Sequence, residues 1–215
     1  MNEIAQSADR IRNHAHRMFM QYGLKNVSMD ELAKGLGISK KTIYLHYSDK
    51  DELVEKVVSN VIKENQANCE FDRSRAIDAV HEIFLAMDRM TEMFHSMNPS
   101  LLFDMQKNYP KAYHIFLSHK NNYIFGLIKE NLIRGIKEGL YRDDINIEVL
   151  TRFRVESIIL PFNPEFHNKS KHTLAAIENE ITLHFLYGLV SSKGYKQITK
   201  YIEKREIKPI ENANI

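Results

Sequence analysis

The sequence is short of the residues that punctuate a chain. Eight glycines and five prolines in 215 residues, with no run of alternating apolar and polar positions, argue against a sheet protein and for an all-α build. The single cysteine, Cys69, leaves no intrachain disulfide, so a reducing cytosol is the natural setting and an inert thiol the natural reading. No apolar stretch approaches the roughly 18 residues of a membrane span. The opening segment, MNEIAQSADRIRNHAHR, offers no apolar run that would act as a signal peptide. The expected location is therefore cytoplasmic, with no membrane partner. Neither sign of charge dominates: the formal net charge is +2, which permits a polyanionic partner without demanding one. Catalytic signatures are missing as well. There is no G-x-S-x-G, phosphate loop, H-E-x-x-H or cysteine pair, and His95, His114, His119, His167, His172 and His184 share no metal-ligand spacing. No catalytic residue, metal or cofactor is expected.

What the chain does have is concentrated in residues 28–47, SMDELAKGLGISKKTIYLHY. Ser28 and Glu31 have the S-x-x-E form of a capping box, opening a short helix that carries Leu32 and Ala33. Gly35 and Gly37 allow a tight turn anchored by Ile38, and Ser39 is a second N-cap. The helix it opens has Ile43 and Tyr47 facing inward and Lys40, Lys41, Thr42, Tyr44 and His46 facing outward. Between Leu32 and Ser48 there is no acidic residue. Helix, glycine-containing turn, helix is the pattern whose second helix enters a DNA major groove, and the outward set is rich in donors for phosphates and base edges.

These residues, Ser28, Leu32-Ala33, Leu36-Gly37-Ile38-Ser39-Lys40-Lys41-Thr42-Ile43-Tyr44-Leu45-His46-Tyr47, Lys50 and Leu53, resemble the tetracycline-repressor-type (TetR) family of regulators over roughly residues 5–55. Lys41 departs from the small residue common there, and Tyr47 from the usual Phe. The resemblance, with the outward face, implies base contacts from Lys41 and Thr42, Tyr44 near the groove edge, and phosphate contacts from Ser28, Lys40, His46 and Lys50, with Ser39 beside them. Beyond residue 55 the similarity is one of architecture.

In chain order, residues 5–22 read as a helix through Ile11, Ala15, Met18, Phe19 and Tyr22, ended by Gly23. Asp49 and Glu52 cap a helix over about 50–64, the covalent link to the rest; 65–73 is polar and expected as a loop. Helices are expected over about 74–97, marked by Ile77 among others, over a short stretch from 101, and over 111–138, 146–160 and 173–191. The stretch 161–172, with two prolines, is expected as a loop; a short helix at 196–204 and a frayed tail follow. The expected division is a DNA-binding domain at 1–50, the connecting helix, and a helical ligand-binding and dimerisation domain over 65–215.

The Met and aromatic density between 87 and 127 serves a plain core or a cavity wall equally well. The resemblance tips it to a small-molecule pocket, expected among Met87, Met90, Phe94, Phe103, Tyr113, Phe116, Tyr123 and Leu127, closed by Phe153 and Phe162. The 173–191 helix is apolar on two sides, which calls for a partner on one of them. The resemblance implies a homodimer joined by the 147–160 and 173–191 helices, with Ile177, Ile181, Phe185, Leu186, Gly188 and Leu189 at the contact. The leading expectation is a repressor that binds a palindromic double-stranded operator as a dimer and is released by a largely apolar inducer. Control by a protein partner without an inducer is the alternative; an enzyme built on the helical half is the least supported.

Overall fold

The computed structural model describes residues 3–205. Among them are twelve α-helices, one π-helical segment, one 3-10 turn and no strand; an isolated bridge pairs Tyr141 with Val190. The fold is all-α, as the composition implies. The first three helices are α1 (Glu3–Tyr22), α2 (Met29–Leu36) and α3 (Lys40–Tyr44). Ile11, Ala15 and Phe19 recur every fourth residue on α1 and are buried with Leu32, Ala33, Ile43 and Tyr47. The His14 imidazole lies against the α2 backbone here: a Cβ on Gly35 would come 2.5 Å from His14 Nε2.

Helix α4 (Lys50–Arg75) is 26 residues long. Asp49 accepts the Glu52 N–H at 2.8 Å, and Glu52 reaches back to the Ser48 N–H at 2.8 Å. Residues 65–73, expected as a loop, are its last turns. Polarity alone does not break a helix, and this stretch has no glycine or proline. Its inward groups are also satisfied. Asp72 is buried and receives Arg89 Nε and Nη2 at 2.6 and 2.8 Å. The Tyr123 hydroxyl donates to the Gln66 carbonyl at 3.1 Å. The chain turns at Ala76, and Asp78 caps α5 (Ala79–His95). The helix expected from 74 thus starts later, and Ile77 lies 77% exposed in the turn instead of in the core.

Next come α6 (Leu101–Asn108), α7 (Pro110–Ser118), a π-helical segment (His119–Ile124) and α8 (Phe125–Lys137); the last three cover the single helix expected at 111–138. Helix α9 (Ile147–Ser157) stops short of 160, where a 3-10 turn, Leu160–Phe162, takes over. The expected loop at 161–172 contains α10 (Pro164–Ser170). Pro164 sits in its first turn, where a missing N–H does no harm, and Asn163 accepts the Glu165 N–H at 2.9 Å. Then come α11 (Leu174–Leu189) and α12 (Ser192–Arg205), the latter longer than expected. The tail beyond it lies outside the described residues.

One core joins α1–α4 to Leu102, Met105, Tyr109 and Ala112 of α6, α7 and the residue between them. A second joins α5, α8, α11 and α12 through Phe84, Leu132, Leu186 and Ile198. Backbone ties reinforce the first: Asn98 N–H donates to the Met20 carbonyl at 2.6 Å, and Lys25 N–H to Asp104 Oδ2 at 3.2 Å. The end of α1 and the turn into α2 are therefore tied to the start of α6, besides the link through α4. No described helix is long and apolar enough to cross a membrane.

Candidate nucleic-acid interface and ligand cavities

Helix α2 opens on the capping box: Ser28 Oγ accepts the Glu31 N–H at 3.2 Å, and Glu31 Oε2 accepts the Ser28 N–H at 2.7 Å. The Ser28 N–H and hydroxyl, both donating to Glu31 Oε2, hold its carboxyl below its ordinary range. Gly37 closes α2 at φ +66°, a conformation a side chain disfavours. Ser39 then accepts the Thr42 N–H at 3.1 Å, and the two hydroxyls lie 2.8 Å apart. Buried Ile43 and Tyr47 hold α3 down, with the Tyr47 hydroxyl donating to the Ala8 carbonyl at 2.9 Å.

The outer surface of α3 presents Lys40, Lys41, Tyr44 and Leu45, with Thr42 and His46 half-buried beside them. Lys40 pairs with Asp30 at 2.8 Å, while Lys41 has no such partner among the described ion pairs. Leu45, 75% exposed, was absent from the sequence-derived set, although its place four residues after Lys41 puts it on the same face. Lys50 is placed otherwise than expected for a phosphate contact. Its Nζ turns inward, donating to the Leu24 carbonyl at 2.5 Å and lying 5.8 and 5.5 Å from the Phe19 and Tyr109 ring centres. Burial lowers its pKa, with Asp104 opposing.

Beneath this unit lies a cavity of about 200 Å³. Its walls are Phe19 and Met20 of α1, Val54, Val57, Val58 and Val61 of α4, Met90 and Phe94 of α5, and Phe116, Ile159 and Phe162. His16, Asn65, His119 and Lys120 supply its polar points. His119 Nε2 lies 3.2 Å from Asn65 Oδ1, and buried Lys120 donates to Glu156 at 2.7 Å. Burial lowers the pKa of both His16 and His119.

A second cavity, about 170 Å³, adjoins the first across Asn65, Met90, Ile124 and Ile158, which line both. It reaches Cys69, Met87, Leu127, Arg154, Glu178, Thr182 and Phe185. Arg154 Nη2 donates to Glu178 Oε1 at 2.5 Å and to Thr182 Oγ1 at 2.7 Å. Burial pushes the Glu178 carboxyl up, with Arg154 opposing; burial also pushes the Cys69 thiol up to about 11, as suits an inert thiol.

The structure divides the expected pocket residues. Met90, Phe94, Phe116 and Phe162 line the first cavity, and Met87, Met90 and Leu127 the second. Phe103 and Tyr113 line an outer hollow of about 450 Å³, which Phe162 also borders. Tyr123 lies outside all three, bonded to Gln66 and Glu70. Phe153 does too, 54% exposed and stacked on Phe185. Sequence reasoning missed the walls from α1 and α4. Their valines and Phe19 were read as core, and only the packing of α4 against α1, α5 and α7 turns that core face into a cavity wall.

The expected dimer residues need a similar correction. Ile177, Phe185, Leu186 and Leu189 are buried within the chain itself, because that side of α11 packs on α5 and its neighbours. Ile181 is half-buried and Gly188 exposed. The open side of α11 carries His184, Tyr187 and Gly188, and α9 adds exposed Val149 and Phe153.

An all-helical chain whose first unit is a capped helix-turn-helix with a cationic outer face is a helix-turn-helix DNA-binding regulator. The model of bacterial regulatory proteins of the tetR family matches residues 11–57. An uncharacterized HTH-type transcriptional regulator, YvaF of Bacillus subtilis, is 24% identical over 188 residues, 86% of this chain and 96% of that one. A TetR-family regulator from Agrobacterium tumefaciens has the same fold, with a TM-score of 0.73 at 17% identity over 87% of this chain and 100% of that one. A putative regulator from Saccharomonospora viridis, solved in complex with choline, has a TM-score of 0.67 at 16% identity over 87% and 99%. Residues 11–57 thus match the DNA-binding unit of the tetR family, and the chain is a DNA-binding transcriptional regulator.

Proposed function

We propose that this regulator is a repressor that binds an inverted-repeat operator as a homodimer and releases it when a small, largely apolar molecule fills the first cavity. One observation carries the reading. The cavity is walled by α1 and α4, the helices that form the core of the DNA-binding unit. A ligand there presses on the element that sets recognition-helix position; no separate relay is needed. It must favour the released arrangement over the bound one, since equal affinity for both shifts nothing.

The DNA-binding unit in this reading is 1–50, with 65–215 binding ligand and partner. Lys41, Thr42 and Tyr44 face base edges, and Leu45 offers an apolar contact of the kind a thymine methyl accepts. Ser28, Ser39, Lys40 and His46 lie toward phosphates. A ligand-free regulator governed by a protein partner has no use for adjoining apolar cavities, which favours the inducer reading.

The test begins with sequences selected from random DNA by the purified chain. A palindromic consensus is expected, with half-site centres about 34–36 Å apart or a multiple. Anisotropy of that duplex is then followed while fractions of a cell extract are added. Loss of binding with a small-molecule fraction is the expected result; loss only with a protein fraction would overturn it.

A further inference from the structure

Glu178 holds an acceptor that nothing fills. It is 1% exposed, and its Oε1 takes Arg154 at 2.5 Å and Thr182 at 3.3 Å. Its Oε2 is buried and meets no donor among the described residues. Buried polar atoms are normally paired, and Glu178 lines the second cavity, so its orphan oxygen marks a place for a ligand atom that enters there. The cations around this cavity are all engaged. Arg89 is held by both oxygens of Asp72, Arg73 by Glu130, and Arg154 by Glu178, Thr182 and Ser157. Asn131 is used twice, donating to the Ala79 carbonyl and accepting from Tyr141. Glu82 is bound by Arg134. The fully buried open valence among these residues is thus an acceptor, and a ligand carboxylate finds no free cation to meet. Around it stand apolar Ile83, Met87, Ile128, Leu132 and Phe185, and Met90, an adaptable side chain, partitions this cavity from the first.

We propose that the second cavity takes the hydroxyl or ammonium group of a small amphiphile, donated to Glu178 Oε2, while the apolar body of the molecule extends past Met90 into the first cavity. The inference rests on the reading that this half of the regulator binds a small ligand, and it names that ligand's chemical class: an alcohol or amine on an aliphatic body, not a carboxylate.

The test is a calorimetric titration of the full-length chain at neutral pH with four probes of similar length: 1-octanol, octylamine, 2-nonanone and octanoate. Octanol and octylamine should bind at least ten-fold more tightly than the ketone or the acid. Glu178→Gln keeps an oxygen for Arg154 and turns an N–H toward the ligand, so it should invert the order in favour of 2-nonanone. If that chain fails to fold, Glu178→Leu with Arg154→Met removes both charges and should bring the four probes within three-fold. Equal binding of all four by the unaltered chain, a preference for ketone or acid, or no binding at all would overturn the proposal. Release of the selected operator is read separately. A donor preference without release keeps this site and removes the inducer reading. Release by all four probes alike keeps the inducer reading and removes this site.

Discussion

Lys41 and Lys50 carry the same charge and are put to opposite uses. Lys41 stands exposed on the outer face of α3, so Lys41→Ala should leave the melting temperature unchanged and cost about 1–3 kcal/mol of discrimination per half-site against a mismatched base. Competition between the selected operator and random DNA checks this; equal loss on both would remove Lys41 from base reading. Lys50 spends its ammonium on the Leu24 carbonyl. Lys50→Ala should destabilise the chain by about 1–3 kcal/mol through an unpaired carbonyl, and the salt slope of operator binding should stay as it was, which urea unfolding and a salt titration would measure. The half-buried imidazoles add a pH dependence. His119, whose pKa is lowered from 6.5 by burial, is neutral in the fold while the unfolded chain still takes up its proton. The unfolded state therefore binds more protons just below that value, and stability falls as pH drops from 6.5 toward the folded pKa. His119→Asn should flatten that part of a melting-temperature profile between pH 7.5 and 5.5.

At the scale of the element, the part legible in sequence was the part whose signals are local. The capping box, the positive-φ glycine and the second serine cap fix α2, the turn and α3 by contacts spanning a few residues. Ser28→Ala should therefore cost about 0.5–2 kcal/mol and weaken operator and random DNA together; thermal melts with both duplexes present would show a change confined to one of them if that is wrong. The last turns of α4 were not legible, because what makes them helical is Arg89 meeting Asp72 across to α5. Helix α10 hid behind its prolines, although Asn163-Pro164 is a helix start as readily as a turn. The π segment at 119–124 has no sequence signature at all. It places His119, Lys120 and Tyr123 against Asn65, Glu156 and Gln66, and such a shift of register is fixed by packing, not by propensity. The cavities belong to the same class. Their residue types were visible, but which of them share a wall depends on how α4 packs against α1, α5 and α7.

For the whole molecule, the two-sided apolarity of α11 was legible in the sequence, but the residues expected at a partner contact mix its two sides, and most of them are buried in the chain itself. Phe185 and Leu186 face the chain's own core, so a charge there would unfold the domain and say nothing about assembly. The side left open carries Tyr187 and Gly188, and α9, stacked on α11 through Phe153 and Phe185, exposes Val149 and Phe153. Apolar side chains of two adjacent helices on one surface are the composition of an interface, not of a solvated face. A two-fold contact there would set two recognition helices at one fixed separation, and a single α3 with five helical residues buries too little groove to hold an operator alone. Phe153→Glu with Tyr187→Glu should therefore give a chain with unchanged helical circular dichroism that sediments as a monomer, while the unaltered chain sediments as a dimer. Its affinity for a single half-site should persist and its affinity for the full palindrome should fall to nearly that of the half-site, because the second helix no longer arrives tethered to the first. A double variant that still sediments as a dimer would move the interface elsewhere on the surface. A monomer that keeps full affinity for the palindrome would mean that each half-site is read independently, and the separation of the two α3 helices could then play no part in release.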